Sequence, residues 1–427
     1  MTKDFDVTVI GAGQAGLSAS YYLKQLNLSH LVIEKGRIGE SWLSQRWNSF
    51  RMNTANKLNT LPGDELPPAA QERFGSATAL AGAMRHFAAS HDLPVREHAR
   101  LVSLDKDARS GLFAAEVDAA GSRQSFFSRA VIVASGAQSE KKLPAFTTQV
   151  AAGLLQLHSS EYRHPSALPA GAVLIVGSGQ SGCQIAEDLA AEGRKVYLST
   201  SRVPRCPRRY RGKDIMDWLI LTGFFDTPAE AVPEPSMLHI PPPLLKGTDA
   251  GKKTLSLQAL ARKGVRLLGR MQAAAGHSVS FENNAADHMA FGDAFSGKVK
   301  GMIDAFIAKA GLDVPPAGPD PDDEPVAGRE MANSELFLDL KEKNINTIIW
   351  ATGFRGNFDY TSLPLFDAAG NIIHNKGAST VEGLYFLGLH WLRTRKSNLL
   401  FGIREDAQYI TDRICAALQK PEPKLIY

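Results

Sequence analysis

Residues 5–34, FDVTVIGAGQAGLSASYYLKQLNLSHLVIE, decide the fold. An apolar run from Val7 to Ile10 breaks at Gly11-Ala-Gly13-Gln-Ala-Gly16, enters a helical pattern, and re-emerges as Leu31-Val-Ile33 before Glu34. This reads as strand, glycine turn, helix, strand. Gly11 permits the tight turn, Gly13 lets a diphosphate approach the backbone at the positive helix end, and Gly16 lets helix and strand pack closely. Gln14 and Ala15 open the helix. Glu34 stands 23 residues after Gly11, with Lys35 beside it, where a carboxylate accepts hydrogen bonds from a ribose. A glycine-rich junction with no ligand is the competing reading, and the acidic residue at this spacing argues against it.

The plan recurs between Ala172 and Arg202. An apolar strand leads to Gly177-Ser178-Gly179-Gln180-Ser181-Gly182, a helix runs through Glu192, and Lys195-Val-Tyr-Leu forms the next strand. Two such units imply two dinucleotides, commonly a flavin and a nicotinamide. At the spacing that holds Glu34 in the first unit, the second has Thr200, Ser201 and Arg202. A carboxylate there repels a ribose 2′-phosphate, whereas a hydroxyl and a guanidinium bind it. The second site is therefore predicted to take NADPH over NADH. The alternative makes Arg202 a solvated start to the basic run Arg205, Arg208, Arg209, Arg211 and Lys213.

At 427 residues the chain exceeds one ordinary core, so two domains, or one inserted in another, are expected. Hydrophobic content of 44% and charged content of 22% are those of a soluble globular protein. A net charge of +4 is too small to suggest nucleic acid as a partner. No apolar run reaches the ~18 residues of a membrane span, and no secretory signal opens the chain. The expected location is cytoplasmic, with no membrane partner. Cys183, Cys206 and Cys415 are scattered and odd in number, which argues against a disulfide framework, a metal site, or a redox-active disulfide beside a flavin.

After Glu34 comes an irregular segment rich in Trp, Asn, Arg and Ser. Its tryptophans argue for function over disorder. Gly39-Glu-Ser41-Trp42 reads as a turn and helix start over the cofactor diphosphate, flanked by Trp42, Arg46 and Trp47. Asn53 and Asn56 are neutral amides able to point at a flavin ring, with packing or loop hydrogen bonding as the competing role for Trp47 and Asn56. Residues 78–90 suit a helix. Val95, Leu101–Leu104, Phe113–Val117 and Phe126–Phe127 suit short strands of an antiparallel layer. Ala130 to Gly136 reads as a separate buried strand ending in small residues beside a cofactor, with Thr347 to Arg355 as its counterpart. His158, between leucines, reads as a satisfied core or linker histidine. From Val203 to Val326 the apolar helices at 214–225 and 299–310 suggest a lid, or a dimer face; 255–268 reads as helix then strand; 314–325 reads as a linker. Gly383 to Gly388 reads as a last parallel strand before a helix ending near Leu418.

These residues together resemble the single-component flavin-containing monooxygenases of group B, the class that also holds Baeyer-Villiger and N-hydroxylating enzymes. The resemblance rests on the two glycine motifs, the Gly39-Glu-Ser-Trp42 turn, the Ala351-Thr-Gly353-Phe strand end, and a partial match to the linker fingerprint FxGxxxHxxx(F/Y/W) at His158 and Tyr162. In that fingerprint Ala152 replaces the Phe and Gly153 is displaced by one position. Arg163 stands where a Baeyer-Villiger fingerprint continues Trp-Pro or Trp-Asp, which points away from ketone oxygenation toward heteroatom or activated-carbon hydroxylation. The chain looks most like the shorter bacterial and plant enzymes, including indole-pyruvate monooxygenases.

The resemblance implies an α/β protein with two Rossmann-like domains, the NADPH domain inserted in the FAD domain. The expected division is 1–165 and 336–427 for FAD and 166–335 for NADPH, with a helical insertion at about 203–326. It implies that NADPH reduces FAD, that O2 adds at flavin C4a, and that bound NADP+ shields the (hydro)peroxyflavin until a small organic substrate arrives. Asn53 would hydrogen-bond near flavin N5 and the peroxide, and Gly136 would approach the FAD. An NADPH oxidase or reductase without oxygen transfer is the alternative, and a non-catalytic redox sensor a more distant one.

Overall fold

The computed structural model describes residues 3–234, 237–238, 240–247, 253–325 and 335–419. Its two largest sheets repeat one plan. In the first, the parallel strands lie in the order Leu384–Phe386, Ser122–Val133, Lys3–Ile10, His30–Ile33, Val95–Arg96. The second runs Leu155–His158, Ile345–Trp350, Ala172–Val176, Val196–Ser199, Arg266–Leu268, again parallel throughout. Val9 lies between Val32 and Ile132, and Ile175 between Leu198 and Ile349. These central strands are buried on both faces, which is why they read as unbroken apolar runs.

Two differences from the sequence reading have physical causes. Phe126–Phe127 and Ala130–Gly136 do not form separate strands. Ser122–Val133 is one strand, antiparallel to Phe113–Ala119 over its first half and parallel to Lys3–Ile10 from Phe126 onward. No glycine or proline interrupts it, and Ser128 is buried within it. Leu155–His158 and Ile345–Trp350 both pair within the second sheet. The helix and strand expected within 255–268 are Leu257–Arg262 and the edge strand Arg266–Leu268 of that sheet, but the segment expected as a helical lid also supplies two strands, Met271–Ala275 and Ser278–Phe281, to a small antiparallel sheet.

The helices follow the apolar spacing. Gln14–Gln25 buries Ala15, Leu17, Ala19 and Leu23 between the first sheet and the C-terminal helix Leu400–Leu418. Gln180–Ala191 buries Cys183, Ile185, Ala186 and Leu189 and turns a polar face to its neighbours. The apolar 214–225 stretch is a helix only over Ile215–Leu221, capped by Asp214 accepting from Met216 N at 2.9 Å; Gly223 at φ +70° then breaks it. The expected 299–310 helix is the end of a longer one, Ala285–Ala310. The 314–325 linker is fastened down: buried Asp323 is ion-paired to buried Arg205 and to Lys300, and Asp293 also binds Arg205.

Candidate functional site

The two glycine turns are near copies. Gly11 and Gly177 both have φ +104°. A Cβ on Gly11 would lie 2.7 Å from the carbonyl oxygen of Ala134, and one on Gly177 would lie 2.5 Å from that of Ala351. On Gly16 and Gly182 it would lie 1.8 and 1.9 Å from the carbonyl oxygens of Gly11 and Gly177. These contacts close each turn against the end of the neighbouring strand and against its own helix. Gly13 and Gly179 differ in kind: open space lies where their Cβ would be, and neither helix has a side-chain cap. Each helix therefore presents its positive end, with uncapped N–H groups, to a glycine-lined opening. That cradle fits the diphosphate of a dinucleotide at each turn. Gly136 and Gly353, after the facing strands, are equally open.

The residues beside the turns differ between the two units. Glu34 accepts from Ala12 N at 2.9 Å and Gly36 N at 2.8 Å and is 9% exposed, so its carboxylate is oriented with lone pairs to spare. Lys35 beside it is exposed. In the second unit Thr200 is buried and bonded to Leu268 O and His288, which removes it from ligand contact. Ser178 Oγ clamps the backbone of Ser201, accepting from its N–H at 2.8 Å. Gln180 is spent on the backbone of Leu245, donating at 2.5 Å and accepting at 2.9 Å. Ser181 is half-buried. Arg202 is exposed, with its guanidinium 4.5 Å from the ring centre of Phe291. The basic run after it is split: Arg205 and Arg208 are 2% and 1% exposed and ion-paired, while Arg209 and Lys213 are exposed.

Around the first turn, Gly39 at φ +71° starts the short helix Glu40–Ser44 and donates to Ala12 O at 3.1 Å. Trp42 donates to Gln14 at 3.4 Å and carries Arg46 on its face at 4.8 Å; burial pushes the Arg46 guanidinium down to about 10. Ser41 is half-buried, and Ala15 is buried, packed behind Gly388. Two expected residues serve structure instead. Trp47 is buried against Phe50 and Tyr162 rather than flanking a diphosphate. Asn56 spends its amide on Ala70 O and Gly75 N, tying two turns of its own loop. His158 is structural as expected, bridging Ser160 Oγ and Gly353 O at 2.9 Å each.

Asn53 sits where the irregular segment meets the second unit. Its side-chain oxygen accepts from Gln184 Nε2 at 2.9 Å, and its carbonyl accepts from Arg208 at 2.8 Å. One helical turn on from Gln184, Asp188 accepts from Ser49 Oγ and from Tyr162 O–H, both at 2.6 Å. Burial and this carboxylate push the Tyr162 phenol well up. Gln184, Asp188 and Arg208 were not legible as site residues. The one signal was the polar spacing 180, 184, 188 along a helix whose other face is apolar.

Comparison with known proteins agrees with this geometry. The family described as pyridine nucleotide-disulphide oxidoreductase matches residues 8–216. The chain is 28% identical over 412 residues to the uncharacterized oxidoreductase CzcO of Bacillus velezensis, covering 96% of this chain and 99% of that one. It is 27% identical over 217 residues to the probable indole-3-pyruvate monooxygenase YUCCA10 of Arabidopsis thaliana, covering 49% of this chain and 54% of the other. Among solved structures, a flavin-containing monooxygenase from Stenotrophomonas maltophilia shares the fold with a TM-score of 0.65 at 18% identity over 97% of this chain and 99% of that one. Bacillithiol disulfide reductase Bdr from Bacillus cereus does so at 0.59 and 14%, over 97% and 100%.

Proposed function

We propose that this chain is an FAD- and NADPH-dependent oxidoreductase of the group B flavin-containing monooxygenase kind, which inserts one oxygen atom from O2 into a small organic substrate through a C4a-(hydro)peroxyflavin, a reading supported by its similarity to such enzymes. The substrate class is a soft heteroatom or an electron-rich aromatic or indolic carbon. The observation that carries the reading is the pair of uncapped, glycine-lined helix ends with opposite selectors, Glu34 at one and Arg202 at the other. Bound flavin supplies hydride acceptance and oxygen activation. The chain supplies the rest. The helix end at Gly13 holds the FAD diphosphate and Glu34 the ribose; the helix end at Gly179 and the Ser201–Arg202 pair hold NADPH with its 2′-phosphate. Asn53 offers N–H donors that stabilise negative charge on reduced oxygen without delivering a mobile proton.

The competing reading, a flavin oxidase or reductase without oxygen transfer, is favoured by the fold shared with a disulfide reductase. Against a thiol-based version stand the cysteines: all three are free, and burial pushes the Cys183 and Cys206 thiols far up, away from the nucleophilic thiolate. The test is turnover under 18O2 with NADPH and a panel of sulfides, amines and indoles. One labelled oxygen in a product supports the proposal. NADPH consumption matched by H2O2 across the panel, with no labelled product, refutes it.

A further inference from the structure

We propose that Gln184 is a positioning residue that fixes which end of the Asn53 amide faces the flavin; this rests on the reading of Asn53 as the flavin-side amide. Both oxygens of Asn53 accept from the second unit, the side-chain one from Gln184 Nε2 and the main-chain one from Arg208 Nη1. Among the described residues, the Asn53 amide nitrogen has no partner. Its two N–H groups are thus the part of the side chain left to act outward. Had Gln184 presented its oxygen instead, Asn53 would donate to it and turn its own carbonyl outward. An outward carbonyl would repel reduced oxygen, where an outward N–H stabilises it.

Gln184 is itself held. It lies one turn from Gln180, pinned to the Leu245 backbone, and one turn from Asp188, pinned to Ser49 and Tyr162. Its side-chain oxygen is buried and without a hydrogen-bond partner. An orphaned buried acceptor is costly, and its persistence here accompanies an arrangement in which the glutamine donates to Asn53. The second unit thereby sets the polarity of a group presented to the first, through a helix whose N-terminal end is the NADPH cradle.

Gln184→Glu tests this, because a carboxylate of the same size accepts only and forces Asn53 to donate to it and turn over. Gln184→Met, which keeps volume without either function, and Asn53→Ala are measured beside it. The readouts are the visible spectrum and midpoint potential of bound FAD under anaerobic conditions, and the fraction of NADPH electrons ending as H2O2. The expected result is that Gln184→Glu shifts spectrum and potential in the same direction as Asn53→Ala and raises the H2O2 fraction roughly two- to tenfold, the factor one hydrogen bond commands. Gln184→Met should fall between it and the parent. If Asn53→Ala changes these readouts and neither Gln184 variant does, Gln184 does not position Asn53 and the proposal falls while the Asn53 reading stands. If Asn53→Ala itself changes nothing, the flavin-side placement of Asn53 fails and takes this inference with it.

Discussion

Replacing Arg202 by alanine should separate the two nicotinamide cofactors. Arg202 is exposed, lies 4.5 Å from the Phe291 ring centre, and among the described residues has no carboxylate partner, so its charge is uncommitted. A charge-assisted bond to a phosphate contributes about 1.5–3 kcal/mol. Exposure and screening place this one near the lower end, about 1.5–2 kcal/mol. At about 1.4 kcal/mol per factor of ten, the KM for NADPH should rise roughly ten- to thirtyfold, with kcat and the NADH parameters little changed. Phe291→Ala removes only the platform. At about 0.5–1 kcal/mol for an exposed cation–π contact it should cost NADPH roughly two- to fivefold and NADH nothing. The assay is initial-rate NADPH and NADH oxidation at two ionic strengths, the parent showing the steeper salt dependence with NADPH. Equal losses with both cofactors, or no loss with either, would refute the assignment of the 2′-phosphate to Arg202.

Other consequences follow from the same geometry. Gly13→Ala and Gly179→Ala place a methyl group in open space, so both should fold; the first should purify with little FAD, and the second should stay yellow with a raised NADPH KM, as flavin absorbance and kinetics will report. Arg208→Met strands the buried Asp214 carboxylate and should cost about 3–5 kcal/mol in urea unfolding, with Arg208→Met/Asp214→Asn recovering part of it. Burial holds the His158 imidazole below its ordinary value of 6.5, so the unfolded chain takes up a proton first as pH falls. Stability contributed by neutral His158 is complete above about 6.5 and declines below it, by up to about 1.4 kcal/mol per pH unit, until the folded histidine titrates too. His158→Gln should flatten that decline in unfolding curves between pH 7 and 5, and an unchanged slope would count against it.

Much of the fold was legible because the glycine turns sit between apolar runs. Gly11, Gly16, Gly177 and Gly182 are required by backbone contacts, and that requirement leaves a fixed spacing in the sequence. The places of Glu34 and Arg202 beside the turns were legible for the same reason, each standing at a set distance from its turn. What was hidden depends on pairings distant in the chain. Ile345–Trp350 carries no local sign that it lies beside Ala172–Val176 rather than in the first sheet. Arg208 reads as one of a basic run, and only the fold reveals that it is buried on Asp214 and on the carbonyl of Asn53. Trp47 and Asn56 share the composition of a ligand loop, yet their side chains are consumed in building it.

The most direct test of oxygen transfer is rapid mixing of the NADPH-reduced, FAD-loaded protein with O2 while the flavin spectrum is followed. The account predicts a C4a-(hydro)peroxyflavin absorbance that persists while NADP+ is bound and decays faster when a sulfide, amine or indole substrate is added. Direct return to oxidised flavin with stoichiometric H2O2, with and without every substrate offered, would contradict it.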